Sequence, residues 1–120
     1  MVITISNADF AASSHFRRAS AILAATKLTP KQAFAMAVQA LNQGFGGMEP
    51  DGKYKTEHLF EPSAWARMSD SIRRSVGICL SYLTATKLVP LVYVNRPGAN
   101  NKLYAPAPGI DPAAYSFKVC

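Results

Sequence analysis

Long apolar runs are missing from this sequence. No stretch approaches the roughly 18–20 residues that a membrane-spanning helix needs, although 49% of the chain is hydrophobic. Much of that fraction is alanine, which favours helices but brings little core volume. Cysteine is scarce as well. Cys79 and Cys120 are too few for a disulfide scaffold, so the expected setting is cytoplasmic, with reduced thiols. The opening Met1-Val2-Ile3-Thr4-Ile5-Ser6-Asn7 has neither a basic segment nor a long apolar one, and no secretory leader is expected. The two histidines, His15 and His58, have no cysteine or carboxylate at a ligand spacing that defines a zinc centre; no metal and no cofactor are expected. With 49% of the residues hydrophobic and only 17% charged, the composition excludes a disordered tail, a collagen-like repeat and a coiled-coil rod.

Acid is the scarcer charge, with seven Asp and Glu against thirteen Lys and Arg and a net charge of +6. A surplus of this sign biases a small protein toward nucleic acid, an anionic surface or an acidic partner. The distribution is more informative than the sum. Residues 10–48 hold no acid but carry Arg17, Arg18, Lys27 and Lys31, and residues 71–110 hold none but carry Arg73, Arg74, Lys87, Arg96 and Lys102. Glu49, Asp51, Glu57 and Glu61 lie between them. The pattern predicts an electropositive face built from the second half, with the acids segregated elsewhere.

Residues 1–6 alternate like a short strand, and a helix is expected from Ala8 to Thr26, with Ala12, Phe16, Ala19, Leu23 and Thr26 on one face. Thr29-Pro30-Lys31-Gln32 spells a capping box with proline in the first turn, opening a helix whose stripe is Phe34, Val38, Leu41 and Phe45. A short strand is expected over Lys53–Leu59, then a brief helix turning Trp65 and Met68 inward. Ser69 caps a longer helix from Asp70 to Lys87, with Ile72, Val76, Cys79, Leu80 and Leu83 along one face. Leu91–Asn95 and Asn101–Ala105 read as a hairpin around Arg96-Pro97-Gly98-Ala99-Asn100, with Tyr93 and Tyr104 paired across it. A last short strand is expected over Tyr115–Val119.

From Thr29 on, the order is helix, short strand, short helix, longer helix, hairpin. With Ser69-Asp70-Ser71-Ile72-Arg73-Arg74-Ser75-Val76 and the exit Lys87-Leu88-Val89-Pro90, this resembles the winged helix-turn-helix family over residues 30–105. The resemblance implies a small, mostly helical α+β domain with a C-terminal β-hairpin wing. One domain is expected over 1–120, with 1–28 as an extension, 29–105 as the winged-helix-like body and 106–120 as a tail. On the helical wheel, Asp70, Arg74, Gly77, Ile78, Ser81 and Ala85 oppose the core face, with Ser71 at one flank. Small residues with a long guanidinium suit a major groove about 12 Å wide. Ser71, Arg74, Ile78 and Ser81 are therefore expected to face the groove of duplex DNA. Arg73, Arg96 and Lys102 would meet phosphates, with Asn100 and Asn101 at the wing tip. The function implied is non-catalytic DNA binding in transcription regulation, with a homodimer through the alanine-rich N-terminal helix.

An alternative needs no nucleic acid. Small size, basic charge and the lack of a cofactor motif equally fit an inhibitor or adaptor of the kind phages and plasmids encode, for example an anti-CRISPR-like inhibitor. Such a protein would dock its basic face on an acidic protein or a nucleoprotein complex, and it would not mimic DNA, which needs the opposite charge. Enzymatic readings are weaker. Gly47-Met48-Glu49-Pro50-Asp51-Gly52-Lys53 has P-loop spacing, but Tyr54 stands where Ser or Thr should ligate Mg²⁺, and two acids would repel a phosphate. No serine elbow, catalytic carboxylate pair or Cys–His arrangement is present, and no enzyme is expected.

Overall fold

Ser6, Ser13, Thr29 and Ser69 punctuate the chain: each is extended, and its hydroxyl accepts a backbone N–H from the helix that follows. The computed structural model describes residues 1–94 and 102–120. Strand β1 (Val2–Ile5) leads into α1 (Asn7–Ala11), α2 (Ser14–Leu23) and α3 (Pro30–Gly44). Then come α4 (Pro62–Ala66), α5 (Asp70–Ala85), β2 (Leu91–Tyr93), β3 (Tyr104–Pro106) and β4 (Ser116–Val119). The result is a small, compact, mostly helical α+β domain.

The capping box at α3 forms as its residues predict, with Gln32 N–H donating to Thr29 Oγ1 at 3.2 Å and Thr29 N–H to Gln32 Oε1 at 2.9 Å. The single helix expected over 8–26 is instead two. Ser13 Oγ donates to the Phe10 carbonyl at 2.6 Å and accepts the Phe16 N–H at 3.1 Å, closing α1 and opening α2. The strand expected over 53–59 shrinks to one residue: Tyr54 exchanges two backbone hydrogen bonds with Tyr104, at 2.8 and 2.7 Å. Beyond it the chain turns into a 3₁₀ turn at Thr56–Leu59, where His58 Nδ1 accepts the Lys55 N–H at 2.9 Å. Trp65 and Met68 are only half-buried.

Helix α5 is the centre of the molecule. α2 and α3 pack on it, as do β2 and the 3₁₀ turn at Thr56–Leu59. Among its residues Ser75, Val76, Ile78, Cys79, Leu80, Ser81, Tyr82, Leu83 and Thr84 are all buried, so beyond its first two turns it has no solvent face until Ala85. The expected one-sided amphipathic helix is thus amphipathic only at its start. The stacked pair Phe10–Phe34, with centroids 4.2 Å apart, meets Tyr82 edge-on and ties α1, α3 and α5 together. α5 ends in a Schellman motif: Leu88 N–H reaches the Leu83 carbonyl and Lys87 N–H the Thr84 carbonyl, both at 3.1 Å, with Lys87 at φ 59°.

The two chain ends meet. β1 and β4 run parallel, with Val2 opposite Ser116 and Ile5 opposite Val119, and the N-terminal ammonium donates to the Ala114 carbonyl. Asn42 on α3 binds both backbone groups of Phe117, donating from Nδ2 at 2.7 Å and accepting at Oδ1 at 2.6 Å. Ile5, Phe10, Leu23 and Phe117 share one core with Phe34, Leu41, Leu80 and Leu83. Segments 1–28 and 106–120 are therefore built into the same core as 29–105. In the hairpin, β2 pairs antiparallel with β3, and Tyr93 lies opposite Tyr104 with rings 5.5 Å apart, as the alternation predicts.

Candidate functional site

The α4–α5 corner holds the first group of expected contacts. Arg73 is tied up within the protein. Its Nε and Nη2 donate to the Trp65 carbonyl at 3.1 and 2.9 Å, Nη2 also reaches the Ala66 carbonyl at 3.3 Å, and Nη1 lies 3.6 Å from Asp70. The guanidinium sits 5.5 Å from the Trp65 ring centroid and closes the C-terminus of α4. Arg74 is exposed one residue further on, and Ser71 is half-buried beside it. Arg67, at the end of α4, is exposed at the same corner. It was not among the residues singled out, because a lone cation in a short helix carries no pattern.

Ile78 and Ser81 do not reach the surface: their relative exposures are 9% and 4%. Ser81 instead anchors a second polar group. Its Oγ lies 2.7 Å from Tyr93 Oη, and it accepts a hydrogen bond from Lys102 Nζ at 3.0 Å. Tyr93 Oη is also 3.1 Å from the Ser81 carbonyl, and Lys102 Nζ sits 6.0 Å from the Tyr93 ring centroid. Lys102, expected at the wing as a phosphate contact, thus folds back over α5. Arg96, Asn100 and Asn101 lie outside the described residues.

Two residues of α2 complete this group. His15 and Arg18, one helical turn apart, share a side of α2, and the His15 ring meets Tyr82 edge-on at 5.6 Å. Burial, and then the positive charges of Arg18 and Lys102, lower the His15 pKa from its usual 6.5. Burial, then Arg18, lowers that of Lys102 from 10.5. Burial pushes the Tyr104 phenol up, with Tyr93 adding to it, and burial followed by Asp9 raises Tyr82. Burial and the positive charges of Arg18 and Lys102 thus favour the neutral form of His15, which packs on Tyr82, while Lys102 packs on Ser81 one residue away along α5. Nothing short of the fold brings His15 and Lys102 to neighbouring residues of α5; the only sequence signal was the His15–Arg18 spacing.

Reactive chemistry is sparse elsewhere. Cys79 is buried, and burial alone pushes its thiol from 9.0 up to about 12, which leaves it unreactive. Among the described residues no group of three His, Cys, Asp or Glu side chains is placed to hold a metal ion. No helix among them is long and apolar enough to cross a membrane. No family model, no curated protein and no solved structure matches the chain.

Proposed function

We propose that the protein is a non-catalytic, nucleic-acid-binding protein of winged helix-turn-helix type that meets duplex DNA at the entrance of α5. The observation that carries this reading is the exposed, cationic α4–turn–α5 corner, where Arg67 and Arg74 flank a helix start capped by Ser69. Support for the winged-helix part comes from the element order after Thr29. The residue between α3 and α4 that pairs in strand fashion, Tyr54, does so with the return strand of the hairpin. Only Ser71 and Arg74 of the expected groove-facing set remain accessible, so base contact is confined to the first two turns of α5. Phosphate contact falls to Arg67, with the hairpin residues Arg96, Asn100 and Asn101 as further contributors from sequence.

Fluorescence anisotropy with a labelled duplex tests this. Affinity should fall steeply between about 50 and 200 mM salt. Arg67→Ala and Arg74→Ala should each weaken binding and lower the salt slope by about one. A chain that binds no duplex at low salt, or variants that bind as the parent does, would end the DNA reading.

A second reading has its own observation. Val92 and Val94 on the outer side of the hairpin are exposed at 38% and 39%, and α5 keeps little readable surface. An inhibitor or adaptor that docks on an acidic protein would use these valines beside the cations. Undiminished partner capture after nuclease treatment, with no duplex binding, separates that outcome from the first.

A further inference from the structure

The sheet that joins the two chain ends is closed on one edge and open on the other. In a parallel pair each strand turns the backbone groups of alternate residues to its partner. The Ser116 N–H donates to the Met1 carbonyl at 2.9 Å, the Cys120 N–H to the Ile5 carbonyl at 3.0 Å, and the Asn7 N–H to the Cys120 carbonyl at 2.9 Å. The odd-numbered residues of β1 therefore face β4, and Val2 and Thr4 turn their N–H and carbonyl groups the other way. On the far side of β4 the Phe117 backbone is answered by the Asn42 amide, which donates at 2.7 Å and accepts at 2.6 Å, as a neighbouring strand would. Among the described residues nothing does the same for β1. Val2 and Thr4 are both exposed, and Met1 and Val2, at 76% and 64%, are the most exposed large apolar residues described. Open edges are ordinarily blunted by charge, proline or a bulge. Val2-Ile3-Thr4-Ile5 has none of these.

We infer that this edge pairs with the same edge of a second copy, β1 against β1, antiparallel about a two-fold axis. The edge is its own complement. With Ile3 of each copy on the axis, Val2 of one lies opposite Thr4 of the other, and every outward N–H and carbonyl of these residues finds a partner, in four hydrogen bonds. The product is one four-stranded sheet, closer than a lone strand pair to the size at which sheets are stable. Nothing charged stands on β1 to select an acidic or a basic partner, and two identical neutral strands meet without repulsion between their side chains. The pairing also sets the half-buried Ile3 against its counterpart. It does not call on the alanine-rich α2, whose Ala19 and Leu23 are already buried. The inference stands independently of the DNA reading, because β1 lies outside the α4–α5 corner.

Four hydrogen bonds along one short strand make a small interface, under about 1,200 Å² in total, so the dimer is expected at about 0.1–1 mM protein. Sedimentation equilibrium of the full chain reads the mass across that range, with a reductant to keep the exposed Cys120 from cross-linking. Amide exchange reads the register. The Val2 and Thr4 N–H groups should exchange more slowly in the concentrated sample, whereas those of Ile3 and Ile5, turned to β4, should not change. Thr4→Pro removes an N–H that the β1–β4 ladder does not use, and with it two of the four bonds, and should weaken the dimer at least about tenfold. Val2→Lys with Thr4→Lys sets like charges opposite each other and should leave a monomer. Val2→Lys with Thr4→Glu sets opposite charges there and should restore the dimer. A parent that stays monomeric up to about 1 mM overturns the inference and leaves this edge to a strand of another protein. A dimer that Thr4→Pro and the paired lysines leave intact overturns it as well, because its contact lies elsewhere.

Discussion

Gly77→Ala is the substitution on which the account of α5 is most exposed to test. Gly77 stands in the middle of a 16-residue helix, where glycine is about 1 kcal/mol less favourable than alanine. A residue so unfavourable is kept when something approaches too closely for a side chain, but a β-carbon added here would meet Thr56 Oγ1 at 4.0 Å, an ordinary contact. The 3₁₀ turn over α5 leaves room for the methyl, so alanine should stabilise the protein by about 1 kcal/mol. For a domain of this size that is a rise in Tm of about 4 °C. Gly44→Ala is the matched control, since its β-carbon would lie 2.9 Å from Leu59 Cα and 3.0 Å from the Leu59 carbonyl oxygen. Backbone there cannot swing aside, so destabilisation of about 1–3 kcal/mol is expected. Urea unfolding followed by circular dichroism, with the two m-values equal to the parent's, reads both. A Gly77→Ala protein no more stable than the parent would refute the packing described around α5. If that variant also lost duplex affinity, a nucleic-acid backbone rather than the Thr56 turn would be the reason for the glycine.

Asn42→Ala should cost about 2 kcal/mol, because it strips both partners from the buried Phe117 backbone groups, and the Phe117 amide should exchange faster relative to that of Leu80. Of the two thiols, exposed Cys120 should react with a disulfide reagent at pH 8 in the folded protein, and Cys79 only after denaturation. Because folding raises the Cys79 pKa from 9.0 to about 12, the unfolded thiol ionises first. The stability linked to that group is complete below pH 9 and is lost as the pH climbs toward 12. Tyr104, also raised by burial, adds a loss in the same direction at higher pH. Thermal melts from pH 8 to 11 should therefore show a falling Tm, and Cys79→Ala should flatten the first part of the fall.

Local chemistry was legible where its signals were complete within a few residues. Thr29, Pro30 and Gln32 specify the start of α3, and Tyr93 and Tyr104 pair as their alternation requires. The break between α1 and α2 had a signal too, the Ser13 hydroxyl, but apolar spacing runs across it and masks the cap. Lys53–Leu59 alternates like a strand, yet only Tyr54 finds a partner, since His58 folds back on Lys55 and turns the rest of the segment. The β1–β4 pairing was out of reach: parallel strands at the two ends of the chain are joined by no turn whose residues could announce them. The site followed the same division. Arg74 and Ser71 stand near the surface of α5, as the wheel has them, whereas the seats of His15 on Tyr82 and of Lys102 on Ser81 depend on how distant segments pack on α5.

The packing around α5 also explains why the wheel misled at Ser81. Small and polar residues on one side of a helix suit a groove in DNA, and they equally suit another part of the protein that must come close. Here Tyr93 and Lys102 close over Ser81, while α2 packs on α5 with its own Ala19 and Leu23 buried and His15 against Tyr82. Burial of α5 beyond its first two turns leaves the α4–α5 corner, where Arg67 and Arg74 are exposed, as the part of this helix that the proposed duplex contact can use. A contact made there by exposed cations should fade with ionic strength of any kind, equally in chloride and in phosphate at the same ionic strength, and a duplex affinity indifferent to salt would refute it.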